Sequence, residues 1–356
     1  MNVLSLFDGI SCGQVALQRA GIKVDHYFAS EIDKWAIKVT QKNFPNTIQL
    51  GDVTKIDWTP FIGKIDLLIG GSPCQDLSIA KHDREGLDGN RSGLFFNYLE
   101  ALKVIKPKWF LLENVASMSK ENKELITKYL DGVEPVMINS ALVSAQQRKR
   151  LYWTNIPNVT QPEDRGVLLE DILEEGLTIK NEQKSRCITS SAGRTTEREY
   201  FIKNQGSMKA IPVALRNRGE GKKPEFNGSD KANALTTVQT DSMVCEPVRI
   251  GTLPNLGKGQ ANRIYSVKGK SICLNANGGG SGAKTGLYKV DLPDGNYIIR
   301  KLTPIECERL QTLPDNYTAG VSATQRYKCL GNGWTVDVIA HILGCINTAE
   351  KENKHA

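Results

Sequence analysis

The strongest constraint on the fold is a regular alternation between short apolar runs and helical patterns across residues 1–155. Apolar runs bounded by turn residues predict strands, and stretches with apolar residues three and four positions apart predict helices. When strands and helices alternate, each helix serves as the crossover between parallel strands. This part of the chain is therefore predicted to form an α/β fold, with a parallel sheet flanked by helices.

The same periodicities predict the bounds of each element. Strands are predicted over 3–7, 26–30, 65–69, 109–112, 135–140 and 150–155. Helices are predicted over 13–20, 34–43, 92–105 and 120–131. Turn residues such as Gly70 and Gly71 follow the strands, and open α/β sheets bind their ligands at the carboxyl ends of their strands. The active site is therefore expected at this edge of the sheet.

A second region begins where this alternation stops. From residue 161 to residue 299 the chain is rich in Gly, Asn, Ser, Thr and Lys and has only brief β-like runs. Apolar periodicity returns from Arg300, with helices predicted over 303–311 and 335–347. A chain of 356 residues exceeds the usual size of one domain. The predicted segments are a catalytic and cofactor-binding domain over 1–160, a smaller, irregular β-rich domain over 161–299, and a C-terminal segment over 300–356 that returns to the first domain.

Composition excludes several classes of protein. Hydrophobic residues make up 40% and charged residues 24% of the chain, which is ordinary for a globular protein and unlike a disordered one. The eight cysteines form no Cys-x-x-Cys pair, so neither a zinc site nor a disulfide framework is expected. The apolar run 1–7 has no basic region before it and no cleavage site after it. We therefore expect a cytoplasmic protein that binds no metal and no membrane.

Positive charge is concentrated in the predicted second domain. The whole chain carries a net charge of +7, whereas residues 180–290 contain 19 Lys and Arg against 8 Asp and Glu. Such an excess is found both in a solvated basic surface and in a surface that binds a phosphate backbone. The charge by itself does not distinguish these two interpretations.

The first strand leads into a turn suited to a nucleotide-like cofactor. Residues 4–13, LSLFDGISCG, form a predicted strand, a turn containing Gly9, and the start of a helix. Glu31 and Asp52 lie near the ends of the next strands. They could bind ribose hydroxyls and an adenine amino group, or could be ordinary capping carboxylates. A dinucleotide would require a Gly-x-Gly-x-x-Gly pattern, which this turn lacks. S-adenosylmethionine, which carries no phosphate, fits the turn better.

Three further motifs carry groups for chemistry at the same edge. Cys74 lies in the run GGSPCQDLS at residues 70–78, directly after Pro73 and at the ligand end of a predicted strand. Such a position is exposed and rigid, as a nucleophile requires. Glu113 ends the next predicted strand, and the run QQRKR at residues 146–150 brings two guanidinium groups before the last one. A nucleophile, an acid and two cations are therefore expected to converge.

These motifs, in this order, closely resemble those of the cytosine C5 DNA methyltransferase family, in its bacterial and phage members. The resemblance rests on PCQ at 73–75, ENV at 113–115 and QxRxR at 146–150. It continues through RKLTP at 300–304 and YKCLGNG at 327–333, and so spans nearly the whole chain. Three positions depart from the family pattern: Ser72 replaces the usual Pro, Leu77 the usual Phe, and Ser11 a common Gly. None of them removes a catalytic atom.

The resemblance implies a fold and a reaction. The fold is a Rossmann-like methyltransferase sheet, mixed and with helices on both faces, plus a target-recognition domain over 161–299. The reaction transfers a methyl group from S-adenosylmethionine to carbon 5 of a flipped-out cytosine in duplex DNA, leaving S-adenosylhomocysteine. Cys74 would attack carbon 6, Glu113 would contact ring N3 and the exocyclic amine, and Arg150 would hold the cytosine O2. Arg148 would hold a nearby backbone or loop group.

The family pattern also implies binding residues. For the cofactor they are Phe7, stacked on adenine, with Asp8, Gly9, Glu31, Ile32, Asp52, Val53, Pro73, Leu94 and Asn332. For DNA they are Gln75, Ser78 and Arg91. The implied partner is double-stranded DNA bound by a monomer in a bacterial or phage-encoded system, with any cognate restriction endonuclease acting separately.

Three other functions stay open at this point. A dinucleotide-dependent oxidoreductase would share the α/β pattern and the opening turn. An RNA methyltransferase is a second alternative, because one branch of the family acts on transfer RNA, although its recognition region is much smaller. A catalytically silent DNA-binding homologue is the third, and the presence of Cys74, Glu113 and Arg150 counts against it.

Overall fold

Two sheets organise the chain, of which a computed structural model describes residues 1–72, 93–174, 249–252, 263–274, 286–291 and 297–355. The strands of the larger sheet are β1 (Asn2–Leu6), β2 (His26–Ser30), β3 (Ile48–Gln49), β4 (Leu67–Gly71), β5 (Trp109–Val115), β6 (Val136–Asn139) and β7 (Lys149–Thr154). The helices between them are α1 (Cys12–Arg19), α2 (Lys34–Asn43), α3 (Leu94–Ile105) and α4 (Lys120–Tyr129).

The larger sheet has seven strands in the order β3-β2-β1-β4-β5-β7-β6. Strands β1 to β5 pair in parallel, and β7 is antiparallel to both β5 and β6. Alternate residues of β1 enter different cores: Val3 packs in the core on one face of the sheet, and Leu4 and Leu6 pack in the other. The predicted α/β class, with a mixed sheet covered on both faces, is confirmed.

Local capping explains where several helices begin. The Asp33 carboxylate accepts a hydrogen bond from the Trp35 amide at the start of α2, 2.9 Å away. At the start of α4, the Ser119 hydroxyl accepts from the Asn122 amide at 3.2 Å. The predicted and observed bounds of these helices therefore agree closely at their N-termini.

The smaller sheet lies inside the segment predicted to be β-rich. Its strands, in the order β11-β10-β9-β8, are β8 (Arg249–Thr252), β9 (Arg263–Ser266), β10 (Leu287–Asp291) and β11 (Tyr297–Arg300). The chain after β9 contacts the segment before β7 at Ser271, whose amide donates to the Ala145 carbonyl at 2.7 Å and whose carbonyl accepts from the Gln147 amide at 3.1 Å. Residues 175–248 of the predicted domain lie outside the described residues, and its bounds stay a prediction.

The C-terminal segment packs back onto the first strands and helices. Its helices are α5 (Pro304–Leu310), α6 (Ala323–Asn332) and α7 (Val336–His355). Tyr317 donates its hydroxyl to the Ile10 carbonyl at 2.6 Å, and the Asn347 amide group donates to the Ala20 carbonyl at 2.7 Å. No single helix in the described ranges is long and apolar enough to cross a membrane, although α6 and α7 as a bent pair pass the same test of length and composition.

One local prediction in this segment is wrong. Because Gly and Asn favour turns, the run Leu330-Gly331-Asn332 predicts a turn at this point, but it is the last part of α6. The Gln311 side chain explains the difference, because its amide donates to the carbonyls of Leu330, at 2.7 Å, and Gly333, at 3.2 Å. The Gln311 side chain, which follows α5, therefore satisfies carbonyl groups at the C-terminal end of α6.

Candidate active site

The strand ends that the sequence predicted to form a site do lie at one edge of the larger sheet. Strands β1 to β5 are parallel, so their carboxyl ends share this edge. Strand β7 runs in the opposite direction, and its first residues therefore lie there too, with Arg150 paired in register with Val115 of β5. The acid of β5 and the cations before and within β7 are brought together in this way.

Glu113 forms an ion pair with Arg150 at this edge. The distance between Arg150 Nε and Glu113 Oε1 is 2.7 Å, and the two side chains are 15% and 10% exposed. A charge-assisted contact of this length with little exposure to water is stronger than a surface ion pair. The pair holds the carboxyl group at the end of β5, next to the strand β4 that leads towards Cys74.

Trp334 contacts the other oxygen of the same carboxylate. Its indole Nε1 lies 3.3 Å from Glu113 Oε2 and donates to it. Gly71 is paired in register with Glu113, and a Cβ atom at Gly71 would lie 2.8 Å from Glu113 Oε2 and 3.0 Å from Trp334 Nε1. The absence of a side chain at Gly71 therefore makes room for this contact. Sequence reasoning did not predict Trp334.

Arg148 has a different environment, buried among backbone carbonyls. Its Nη2 donates to the carbonyls of Gly333, at 2.9 Å, and Gly331, at 3.3 Å. Its Nη1 donates to the Leu274 carbonyl and to the Cys273 Sγ, both at 3.4 Å. Arg148 thus joins its own segment to residues 273–274 and 331–333, which are distant in the sequence. Arg150, in contrast, contacts Glu113.

Cys273 lies beside these two arginines and was not singled out by its sequence context. Burial by itself would raise the pKa of its thiol, but the charges of Arg148 and Arg150 and the hydrogen bond from Arg148 lower that pKa below its usual value. No local pattern around Cys273 indicates this, because Arg148 directly precedes β7 and Arg150 lies within it. Cys74 itself lies outside the described residues.

Ser72, one of the departures from the family pattern, has a structural role at the end of β4. Its side chain is buried, and its hydroxyl accepts a hydrogen bond from Asn114 Nδ2 at 3.3 Å. The side-chain Oδ1 of Asn114 in turn accepts from the Val115 backbone amide at 2.8 Å. A proline at position 72 could not accept this bond through its side chain. The serine therefore links β4 to β5 directly beside the predicted nucleophile segment.

The predicted turn after β1 has an unusual backbone at three positions. Phe7, Gly9 and Ser11 all have positive φ angles near 60°, a conformation that costs energy for residues other than glycine. Asp8 between them accepts a hydrogen bond from the Tyr27 hydroxyl at 2.7 Å and another from the Ser11 hydroxyl. Burial raises the pKa of Asp8 to about 6, although these hydrogen bonds lower it.

The carboxylates predicted to contact the cofactor lie along the same edge. Glu31 accepts a hydrogen bond from the Gly9 amide at 2.8 Å through Oε2, and its Oε1 accepts from the Ile32 and Asp33 amides. Asp52 accepts from the amide of Thr54 at 3.0 Å and from its hydroxyl at 2.8 Å. Hydrogen bonds from Thr54 lower the pKa of Asp52. Both carboxylates are thus held in place by neighbouring donors.

Apolar and polar residues flank these carboxylates. Ile32 is 75% exposed, whereas Val53 is buried. Leu94 is the first residue of α3, and Asn332 is the exposed last residue of α6. The other predicted site residues, Pro73, Cys74, Gln75, Ser78 and Arg91, lie outside the described residues. In the described ranges, no group of three or more His, Cys, Asp or Glu could hold a metal ion.

Comparison with known sequences finds one family across the chain. The family model for C-5 cytosine-specific DNA methylase matches residues 1–348. The Orphan methyltransferase M.SPRI of Bacillus phage SPR is 28% identical, with 96% of each chain covered. The Type II methyltransferase M.HhaI of Haemophilus parahaemolyticus is 27% identical, with 96% of this chain and 93% of the relative covered.

Solved structures share the fold at lower sequence identity. The Entamoeba histolytica methyltransferase EhMeth superimposes with a TM-score of 0.63, 17% identity and 98% of both chains covered. The S. pombe Dnmt2 methyltransferase superimposes with a TM-score of 0.59, again at 17% identity, with 98% of this chain and 99% of that chain covered. At this identity the likeness establishes the fold.

Proposed function

Because the chain belongs to the C-5 cytosine-specific DNA methylase family, we propose that it methylates carbon 5 of a flipped-out cytosine in duplex DNA through a covalent bond to Cys74. The observation that carries this proposal is the Glu113 carboxylate, held between Arg150 and Trp334 directly opposite Gly71. Cys74 follows Gly71 by three residues. The acid and the cation therefore lie at the sheet edge from which the chain continues towards Cys74.

The reaction begins with activation of an unreactive carbon. Carbon 5 of cytosine is a poor nucleophile, and addition of the Cys74 thiolate to carbon 6 makes it reactive. The new S–C6 bond forms as the electron pair of the C5–C6 double bond moves towards carbon 5 and into the ring. A proton shared between Glu113 and ring N3 neutralises the charge that develops, and Arg150 holds the O2 atom. Electrostatic stabilisation of this kind is a large part of enzyme catalysis.

The remaining steps complete methyl transfer and release Cys74 from the base. Carbon 5 would take the methyl group that bound S-adenosylmethionine supplies, its bond to sulfur breaking to leave S-adenosylhomocysteine, and the proton on carbon 5 then leaves to a base or water. The electron pair of the C5–H bond re-forms the C5–C6 double bond, and the S–C6 bond breaks to free Cys74. The target base must leave the helix for these steps, since a stacked cytosine cannot reach Cys74 and a methyl donor together. Glu113 and Arg150 then read the edge of the flipped base.

The residues near the ends of β1 to β3 fit S-adenosylmethionine. Asp8, Glu31 and Asp52 supply carboxylates, and the exposed Ile32 side chain and Phe7 supply apolar surface. This combination suits a cationic nucleoside without a phosphate group. When bound, S-adenosylmethionine supplies an electrophilic methyl group. In the proposed arrangement Phe7 and Ile32 flank the adenine, Glu31 binds the ribose and Asp52 binds the adenine amino group.

A labelled-methyl assay tests the proposed reaction and its substrate. The protein should transfer a tritiated methyl group from S-adenosylmethionine to duplex DNA faster than to transfer RNA, because the branch of the family that acts on transfer RNA has a much smaller recognition region than segment 161–299. Conversion sequencing of the DNA product should place the methyl group on cytosine carbon 5. Faster labelling of transfer RNA would contradict the DNA substrate, and absence of labelling on both would contradict the enzyme.

The predicted segment 161–299 is proposed to choose the target sequence. The basic excess lies there, and Ser271 within it bonds to the segment directly before β7. Lys and Arg would contact phosphates, and a few side chains would read base edges in the major groove. Replacing one base-reading side chain should cost about 1–3 kcal/mol at a single base position.

Grafting this segment into a relative of different specificity tests its role. The hybrid should methylate the target sequence of the present protein, as mapped by conversion sequencing. The reciprocal hybrid, carrying the relative's segment on this catalytic domain, is the matched control and should show the opposite exchange. An active hybrid that keeps its host's target sequence would place recognition elsewhere in the chain.

A further inference from the structure

The Trp334 indole ring lies between the cofactor turn and the acid of the active site. A Cβ atom at Gly13, in the first turn of α1, would lie 3.8 Å from Trp334 Cζ3. A Cβ atom at Gly71 would lie 3.0 Å from Trp334 Nε1, on the opposite side. The ring therefore spans from the start of α1 to the end of β4, and its N–H reaches Glu113 Oε2.

The backbone that carries Trp334 is held on both sides. The preceding carbonyl, of Gly333, accepts from Arg148 Nη2 at 2.9 Å and from Gln311 Nε2 at 3.2 Å. The next residue, Thr335, donates its hydroxyl to Gln311 Oε1 at 2.8 Å. Buried hydrogen bonds of this kind fix the position of the Trp334 ring next to Gly71. Because its own position is fixed, Trp334 can determine the orientation of the Glu113 carboxylate.

Trp334 and Arg150 contact different oxygens of Glu113. Arg150 Nε lies 2.7 Å from Oε1, and Trp334 Nε1 lies 3.3 Å from Oε2. Rotation of the Glu113 carboxylate about its Cγ–Cδ bond breaks at least one of these two contacts. Two donors on two oxygens therefore define the plane of the carboxylate as well as its position, and catalytic groups require such precision.

We propose that Trp334 is a positioning residue for methyl transfer, whose indole N–H fixes the plane of the Glu113 carboxylate towards the target base. This inference rests on the proposed function of Glu113 and adds a residue from the C-terminal segment to it. It also explains why position 71 is a glycine, since any side chain there would separate the indole from the acid. Trp334 itself touches neither the base nor the reacting atoms in this role.

Replacing Trp334 by phenylalanine removes the N–H group and keeps most of the ring. The kcat of methyl transfer should fall about tenfold, which corresponds to about 1.4 kcal/mol, because the carboxylate is no longer fixed in the plane that meets the base. The KM values for DNA and for S-adenosylmethionine should stay within about twofold, since the ring still fills its site. Steady-state rates at varied concentrations of both substrates measure these quantities.

The matched control is Trp109→Phe, at the other end of the strand that carries Glu113. Trp109 is buried, and its indole N–H has no hydrogen-bond partner among the described residues. The same substitution there should leave kcat within about twofold. Thermal melting of both variants checks that they are folded, and an equal loss of kcat in the two variants would overturn the positioning role.

A double-mutant cycle with Glu113→Gln separates this inference from the proposed function. If Trp334 acts through the acid, Trp334→Phe should change the residual single-turnover rate of Glu113→Gln by less than about twofold. A tenfold loss in both backgrounds would overturn the inference, as would an unchanged kcat or a loss confined to the KM of S-adenosylmethionine. Full activity of Glu113→Gln alone would instead overturn the proposed function of Glu113.

Discussion

Replacing Cys74 by serine should lower the rate of methyl transfer by at least about 10⁴-fold, because removal of a covalent nucleophile has effects of this order. A serine hydroxyl ionises far less readily than a thiol, so almost none of the variant carries the anion that must add to carbon 6. DNA binding should persist, since the change removes only one sulfur atom. Initial rates of labelled methyl transfer and a gel-shift titration measure the two effects.

Covalent trapping tests the bond itself. DNA containing 5-fluorocytosine should form an adduct with the wild-type protein that survives denaturing electrophoresis, because fluorine at carbon 5 cannot leave as a proton does. Cys74→Ser should form no such adduct. The matched control is Cys345→Ser, a half-buried cysteine of α7, which should trap DNA as the wild type does. Retained methyl transfer in Cys74→Ser would eliminate the covalent mechanism.

The second large effect is expected from Glu113→Gln, which should lower kcat about 10²- to 10³-fold, a typical loss for removal of a general acid or an electrostatic catalyst. The amide keeps the shape of the side chain but cannot share a proton with ring N3. It also loses the charge that pairs with Arg150, whose Nε lies 2.7 Å from Glu113 Oε1. Single-turnover rates with saturating DNA and cofactor measure the loss.

A second buried glutamate offers a matched control for this variant. Glu308 is fully buried and pairs with Arg326 at 2.8 Å, among residues of the C-terminal segment. Glu308→Gln should lower the melting temperature, because it breaks a buried ion pair, while the folded protein keeps its kcat. A loss of kcat as large in Glu308→Gln as in Glu113→Gln would show that the effect reports on folding and not on the chemistry.

Much of the larger sheet could be predicted from local sequence patterns. Strand β2 and helix α2 have the predicted bounds, 26–30 and 34–43, because their apolar spacing is unambiguous. Strand β4 lies two residues later than predicted, at Leu67–Gly71, and includes the glycines that were expected to form a turn. Strand β3 has only two residues, too few for any periodicity to reveal.

The resemblance to a known family supplied the candidates Glu113, Arg148 and Arg150, but it did not predict their surroundings. Arg148 and Arg150 are two positions apart, and the structure places them in different environments: one is buried among backbone carbonyls, and the other pairs with the acid. The difference arises because segments from two distant parts of the chain close over Arg148. Such an enclosure depends on packing, which local spacing does not encode.

The amino-acid sequence by itself determined the α/β class, the edge of the sheet at which Glu113 and Arg150 lie and the candidate residues for the proposed chemistry. These follow from periodicities and motifs within a few residues of each other, since strand and helix patterns are local. Only the tertiary structure decided that Trp334 donates to Glu113, 221 residues away, and that Cys273 lies against Arg148, 125 residues away. These contacts exist because the C-terminal segment and the chain after β9 both pack beside the start of β7 and the residues before it. Hydrogen bonds between such remote segments form only when the segments are packed together.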